Sequence, residues 1–352
     1  MKTGQTLQDL AKELDRQQSA KRDFIAPTQN LRLKLTPEKK TILDIYGHGE
    51  FGIRDLAHQQ IGARVGIPKT YYDRMRTDAP ELLGVNVNHW FADKAEKRMV
   101  RTMDGDARAF LSDRYRPLDN YDLGEVTINA LLNPGLKATI ESCALTETRL
   151  YIKARTETIT AEIRKGDIVQ AGIVVSNSEV GMGTVKVEPF IFRLVCLNGL
   201  IANDHALRKY HVGRGHEGGD LAEEFFRDET RQADDRAFWM KVKDVVMGSF
   251  RQDVFDRIVS QMKSATEDEI KADPVKAIEV TQKMFGLNDQ EQGGVLRWLI
   301  KDGDLTRYGL VNAVTRVSQE VPDYDRATEL ERLGGTVLEL PRTSWERIAE
   351  AA

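Results

Sequence analysis

Cysteine is scarce in this chain: Cys143 and Cys196 are the two among 352 residues, each inside an apolar, strand-like run. A disulfide framework needs more cysteines and an oxidising compartment, so both read as buried, reduced thiols that behave as small hydrophobes. Long apolar runs are also missing. Nothing approaches the ~20 residues that span a bilayer, and the polar stretch Met1–Arg16 lacks the apolar centre of a secretory signal. The expectation is a cytoplasmic chain with no membrane partner. Charge of one sign is not in excess, with 51 Lys and Arg against 55 Asp and Glu and a net charge of −4. That excludes a global electrostatic pull on nucleic acid.

Catalytic patterns are absent too. There is no phosphate-cradling Gly-x4-Gly-Lys-Ser/Thr, no Gly-x-Ser-x-Gly elbow and no His-Glu-x-x-His helix. Gly181-Met182-Gly183 reads as a strand turn, because no helical pattern follows it. His205, His211 and His216 match no zinc spacing, and Zn would favour a paired Cys-x2-Cys knuckle. No metal and no cofactor are therefore expected, and an enzyme is not the favoured class. A catalytic site assembled only in three dimensions lies beyond the reach of spacing.

What is present is enough apolar sequence (41%) to bury a core, and a length that suits two domains or one domain with a large appendage. Thr6–Gln18 carries Leu7, Leu10, Ala11 and Leu14 at helical spacing. A polar, poorly periodic stretch follows to about Lys40. Arg54–Asp78 reads as two helices split at Gly66-Ile67-Pro68, where Gly ends one and Pro opens the next. Val87–Lys97 reads as a helix with Trp90 and Phe91 inward. Asp104-Gly105-Asp106 is tight-turn chemistry between Met99–Met103 and Ala107–Ser112. A helix over Tyr121–Leu132 precedes strands at Lys137–Leu145, Arg149–Thr158, Ile168–Ser176 and Thr184–Cys196.

Beyond about Leu221 the period is helical. Val242, Val246, Phe250, Val254, Ile258 and Met262 step by four, as on one long striped helix, and Gly334-Gly335 reads as the end of the last helix. The expected fold is α+β, with an antiparallel sheet core built from a hairpin, a helix and three or four strands. Residues 1–97 form a helical N-terminal region, 98–216 the core and 217–352 an all-helical C-terminal region. The segment 98–197 is expected to hold all of the sheet.

Two features point towards nucleic acid. In Arg149–Thr158 the side chains alternate, so Leu150, Ile152 and Ala154 share one face and Arg149, Tyr151, Lys153 and Arg155 the other. Cations neutralise phosphates and an aromatic ring can stack a base, which makes the second face a candidate single-strand surface. Arg101 and Arg108 of the hairpin, Arg114 and Arg116 beyond it, and Arg208 and Lys209 in the histidine-bearing segment could extend it. The stretch Lys137–His216 holds 11 Lys and Arg against 8 Asp and Glu, so the middle of the chain is mildly basic.

The second feature is Gln59–Met75, which fits a helix-turn-helix. Ile61, Val65, Ile67, Tyr72 and Met75 are apolar where such a pair packs, Gly62 is small at the crossing and Gly66 sits in the turn. Lys69, Thr70, Arg74 and Arg76 would then face a major groove. The same spacing also serves an ordinary αα-hairpin.

Several runs resemble the phage/plasmid-like domain-of-unknown-function family: Gln60–Pro68 with Tyr71-Tyr72, Leu111–Asn120, Ser176–Ser178, Arg193–Gly199 and Gly309–Thr315. The resemblance spans about residues 50–335 and implies a home in mobile elements without implying an activity. The order of hairpin, helix and antiparallel strands is similar, at the level of architecture, to single-strand annealing recombinases. The leading expectation is a mobile-element protein that binds single-stranded nucleic acid, annealing included, as a homo-oligomer. The alternatives are a protein-interaction or structural role through the C-terminal helices, and a double-stranded DNA regulator.

Overall fold

The computed structural model describes residues 1–93, 95–202 and 228–351. Helices and mainly antiparallel sheets combine in an α+β chain, as the alternation of periods predicts. The chain divides into two compact units. The first comprises Ala11–Tyr121 with Ser178–Gly183, and the second Met1–Leu10, Asp122–Asn177 and Thr184–Ala352. This division departs from the three consecutive regions expected, because both units are built from segments distant in sequence.

After α1 (Leu7–Ala20), the first unit runs β1 (Lys21–Pro27), β2 (Leu31–Leu35), β3 (Thr41–Ile45), β4 (Gly49–Ile53), α2 (Asp55–Arg64), α3 (Lys69–Asp78), α4 (Pro80–Asp93), β5 (Lys97–Met103) and β6 (Asp106–Ser112). Its sheet has the order β1-β5-β6-β4-β3-β2, antiparallel except for a short parallel pairing of β4 with β6. The N-terminal region is therefore not helical alone. In β2, Leu31 and Leu33 are buried while Arg32 and Lys34 point outward. The charged alternate positions make this half-buried strand look polar in sequence.

The hairpin β5–β6 forms as expected, with Asp104 and Gly105 both at positive φ, the conformation that a tight primed turn requires. It docks on β1 and β4, however, and not on the later strands. Helices α2, α3 and α4 contribute Ile61, Tyr72, Met75, Leu83, Val87 and Phe91 to the unit's core. Trp90, expected inward, is 46% exposed. It neighbours buried Phe91 in sequence, and adjacent helical positions point in different directions.

The second unit begins with most of α5 (Asn120–Leu131) and continues with β7 (Ala138–Leu145), β8 (Leu150–Glu162), β9 (Ile168–Asn177), β10 (Lys186–Arg193) and β11 (Asn198–Ile201). These form an antiparallel sheet of order β11-β10-β9-β8-β7. The helices α6 (Asp228–Gly248), α7 (Gln252–Ala265), α8 (Pro274–Phe285), α9 (Asp289–Asp302), α10 (Arg307–Val317), α11 (Tyr324–Leu338) and α12 (Arg342–Ala349) complete the unit.

Several helix starts are capped by side chains: Asp273 before Pro274, the reciprocal Asn288/Glu291 box, Thr306 and Asp323. The striped helix expected over 242–262 is two helices, broken after Gly248. Helix α11 runs through Gly334-Gly335 rather than stopping there. A Cβ on Gly335 would lie 2.1 Å from the Ile201 carbonyl oxygen, and one on Gly334 would lie 2.3 Å from Thr315 Cγ2. The two glycines let the helix approach β11 and α10, which is a different use of the residue from ending a helix.

Among the described residues, two hydrophobic clusters contribute to the second unit's core. One joins Val169, Ala171, Ile191 and Leu200 to helical residues such as Phe255 and Leu310. The other joins Ala144, Tyr151, Val174, Phe190 and Phe192 to Tyr324 of α11. Among the described residues no helix is long and apolar enough to cross a membrane.

Candidate nucleic-acid interface

The basic face of β8 is covered. Tyr151 and Lys153 of β8 are each 0% exposed. Lys153 Nζ lies 2.6 Å from Glu331 Oε2, donates to Thr328 Oγ1 at 3.1 Å and sits 4.7 Å from the centre of the Tyr324 ring. All three partners belong to α11. Burial is the largest influence on Lys153 and pulls its ammonium pKa below the usual lysine range, against the attraction of Glu331. Arg155 donates to Glu141 at 2.5 Å and to Gln170 at 2.6 Å. Arg149 is half-buried and engaged. The expected solvent-facing row is thus an internal seam between β8, its neighbouring strands and α11. Alternation tells which side chains share a face; it does not tell whether a helix comes to lie on that face.

The hairpin arginines are also internal. Arg101 is 0% exposed; it donates to Asp23 at 2.9 Å, to Asp119 at 2.8 Å and to the Glu179 carbonyl at 2.9 Å. Arg108 lies 2.6 Å from Glu179, and Lys21 lies 2.5 Å from Asp119. Burial alone would raise the Asp119 carboxyl, but Arg101 and Lys21 hold it below its usual range. The Asn120 amide donates to Glu179, and the Tyr115 hydroxyl to the Ser178 carbonyl. Two runs singled out in the sequence, Leu111–Asn120 and the segment around Ser178, therefore meet in a buried ionic clamp within the first unit.

Arg114 is exposed and Arg116 half-buried, and both have partners. Arg208, Lys209 and the three expected loop histidines lie outside the described residues. Sequence reasoning missed Glu331, Asp119 and Glu179. The available signal was a lysine and an arginine inside strand patterns, each of which needs an acid when buried, although nothing in the spacing says which acid.

The helix pair forms as its spacing predicts. Helix α2 ends at Arg64, Gly66 takes φ +71° in the turn, and α3 starts at Lys69. A Cβ on Gly62 would lie 2.8 Å from Tyr72 Cδ2, so the small residue allows α3 to close on α2. Ile61, Ile67, Tyr72 and Met75 are buried in the joint. His58, 1% exposed, has its Nδ1 2.8 Å from the Tyr72 hydroxyl and its Nε2 3.2 Å from Thr41 Oγ1. Burial pushes this imidazole down to about 4 and the Tyr72 phenol up.

Opposite the buried edge of α3 lies an arc of Lys69, Thr70, Asp73, Arg74 and Thr77. The Lys69 and Arg74 side chains are 67% and 77% exposed. Their i,i+4 pairings with Asp73 (2.8 Å) and Asp78 (3.9 Å) are surface pairs, which constrain a side chain weakly. Arg76 turns back to Asp55 at 2.7 Å. Tyr71 is 47% exposed at the edge of the arc. Among the described residues no cluster of three or more His, Cys, Asp or Glu is placed to hold a metal ion.

The molecule is thus an α+β protein of two units, one built on a six-stranded sheet with the α2–α3 helix pair and the other on a five-stranded sheet with helices. Residues 109–340 match the family described as Domain of unknown function (DUF932), about two thirds of the chain, and the chain belongs to that family. No curated protein and no solved structure matches it. The matched residues include nearly all of the second unit's described sheet and helices up to α11, while α2 and α3 lie outside them.

Proposed function

We propose that this chain binds double-stranded DNA through α2 and α3, with α3 in a major groove. The single observation that carries the reading is the arc on α3: exposed cations and hydroxyls stand opposite a buried edge that locks the helix to α2. Lys69 and Arg74 contact phosphates or guanine edges, and Thr70 and Thr77 contact phosphates or bases. Charge supports the same placement. The first unit carries 20 Lys and Arg against 17 Asp and Glu, whereas the rest of the chain is acidic. A single helix pair covers a short site, so the reading includes self-association that presents two such helices to two half-sites.

The resemblance to phage/plasmid-like proteins supplies a setting in which a DNA-binding regulator is at home. Single-strand binding and annealing, the earlier expectation, lose their motive because the β8 row is spent on internal partners. The proposal is made for this chain and not for the whole family, since the helix pair lies outside the matched residues.

The test is electrophoretic retention of a random duplex pool at about 50 mM salt, where phosphate contacts are strongest. Wild-type protein should retain duplex in preference to single strands of the same length. Lys69→Glu with Arg74→Glu should weaken retention more than about tenfold. Two lost phosphate contacts should also flatten the log affinity–log salt slope by about 2. Both side chains are on the surface, so circular dichroism should be unchanged. Failure of wild-type protein to retain duplex, or equal retention by the variant, refutes the reading.

A further inference from the structure

A cavity of about 620 Å³ opens within the second unit, between the β8–β9 turn, the segment after β10 and the start of α10. Two runs singled out in the sequence meet at it: Arg193–Gly199 brings Arg193 and Cys196, and Gly309–Thr315 brings Gly309 and Asn312. Part of its lining is electrostatically closed. Asp167, 7% exposed, accepts from Arg193 Nε at 2.6 Å, from Arg193 Nη2 at 2.8 Å and from the Tyr308 hydroxyl at 2.7 Å. Arg164 is paired with Asp304 at 2.8 Å.

What remains is cationic and has donors to spare. Lys165 is exposed and makes no ion pair among the described residues. Arg316 reaches Asp302 only at 3.6 Å, and its Nη1 donates to Cys196 Sγ at 3.2 Å. Its guanidinium carbon lies 3.7 Å from the centre of the Trp298 ring. Nε and Nη2 of Arg316 have no acceptor among the described residues. Asn312, 6% exposed, borders the same space; its side chain already hydrogen-bonds the Tyr308 phenol, and the amide has further donor and acceptor capacity.

A guanidinium stacked on an indole has already lost much of its rotational freedom, and its unused N–H groups form a planar fork matched to oxyanions. The cavity has the size of a small-molecule site. We infer that it binds a small ligand bearing an oxyanion, either phosphate or carboxylate. Arg316 and Lys165 are the charged contacts and Asn312 the neutral one. The inference is independent of the DNA reading, since it uses other residues in the other unit.

Cys196 provides a local reporter. It is half-buried at the cavity, whereas Cys143 is buried and burial pushes its thiol up to about 11. Iodoacetamide at about pH 8 should therefore modify Cys196 and spare Cys143. The full chain is titrated calorimetrically with pyrophosphate and, separately, with succinate, and Cys196 alkylation is followed in parallel. One of the two anions should bind saturably and slow alkylation about tenfold at about ten times its Kd. Pyrophosphate identifies a phosphate ligand and succinate a carboxylate one. Arg316→Gln combined with Lys165→Gln should abolish both the heat and the protection at an unchanged melting temperature, and Arg316→Lys should restore part of each. The inference is overturned if neither anion binds, or if the double variant binds like wild type.

Discussion

Replacing Lys153 with methionine would leave a carboxylate without its counter-ion in the interior of the second unit. Lys153 and Glu331 are both 0% exposed, and they join β8 to α11 across 2.6 Å. The second carboxylate oxygen, Glu331 Oε1, accepts no hydrogen bond among the described residues, so Lys153 is the cation in direct contact with the carboxylate, while the Met1 amino group and Arg332 act on it from farther away. Thr328 could offer one hydroxyl, which does not neutralise a charge. Removing one member of a buried pair costs about 3–5 kcal/mol, whereas exchanging both members for apolar side chains of similar volume is often neutral or stabilising by about 1–4 kcal/mol. Lys153→Met alone should therefore lose about 3 kcal/mol or more, and Lys153→Met with Glu331→Met should recover most of that. The coupling between the two sites should exceed about 2 kcal/mol. Urea denaturation followed by circular dichroism measures all three variants, with midpoints compared at equal slope. A single-substitution cost below about 1 kcal/mol, as for a surface pair, would refute the reasoning. So would a double variant as unstable as the single one. In either case the strand face would have to be reconsidered as an open one.

Other outcomes follow from the same contacts. His58 has a folded-state pKa of about 4, below the unfolded value near 6.5, so its contribution is intact above about pH 6.5 and is lost as pH falls towards 4. Between pH 7 and pH 4.5 the loss should be about 2 kcal/mol; chemical denaturation at the two values should show it, and His58→Leu should flatten that part of the profile. Gly62→Val drives a side chain into the Tyr72 ring; it should cost about 1–3 kcal/mol by overpacking and weaken duplex retention along with it. Gly199→Ala would place its Cβ 1.9 Å from Phe190 Cζ, so its melting temperature should fall clearly below that of Gly248→Ala, a position with open space around it.

The proposed DNA contact and the proposed oxyanion site draw on different residues, in different units of the chain. Most of the residues matching DUF932 belong to the unit whose arginines are largely consumed by acids: Arg155 by Glu141, Arg193 by Asp167 and Arg332 by Glu188. A residue count that finds basic character in the middle of the chain cannot tell these consumed cations from available ones. Pairing therefore decides the electrostatics of that region more than composition does.

Local choices were readable from the amino acids themselves. Asp104-Gly105 reads as a tight turn, and Gly66-Ile67-Pro68 as the break that separates α2 from α3. These depend on neighbours a few residues apart, where backbone sterics and capping hydrogen bonds act. What the tertiary structure alone decided is where each face went. The hairpin joined β1 and β4, Gly334-Gly335 served a close approach instead of a helix end, and Lys153 of β8 met an acid 178 positions further along the chain. Periodicity specifies that a strand has two sides, whereas solvent exposure depends on segments that no local pattern can nominate.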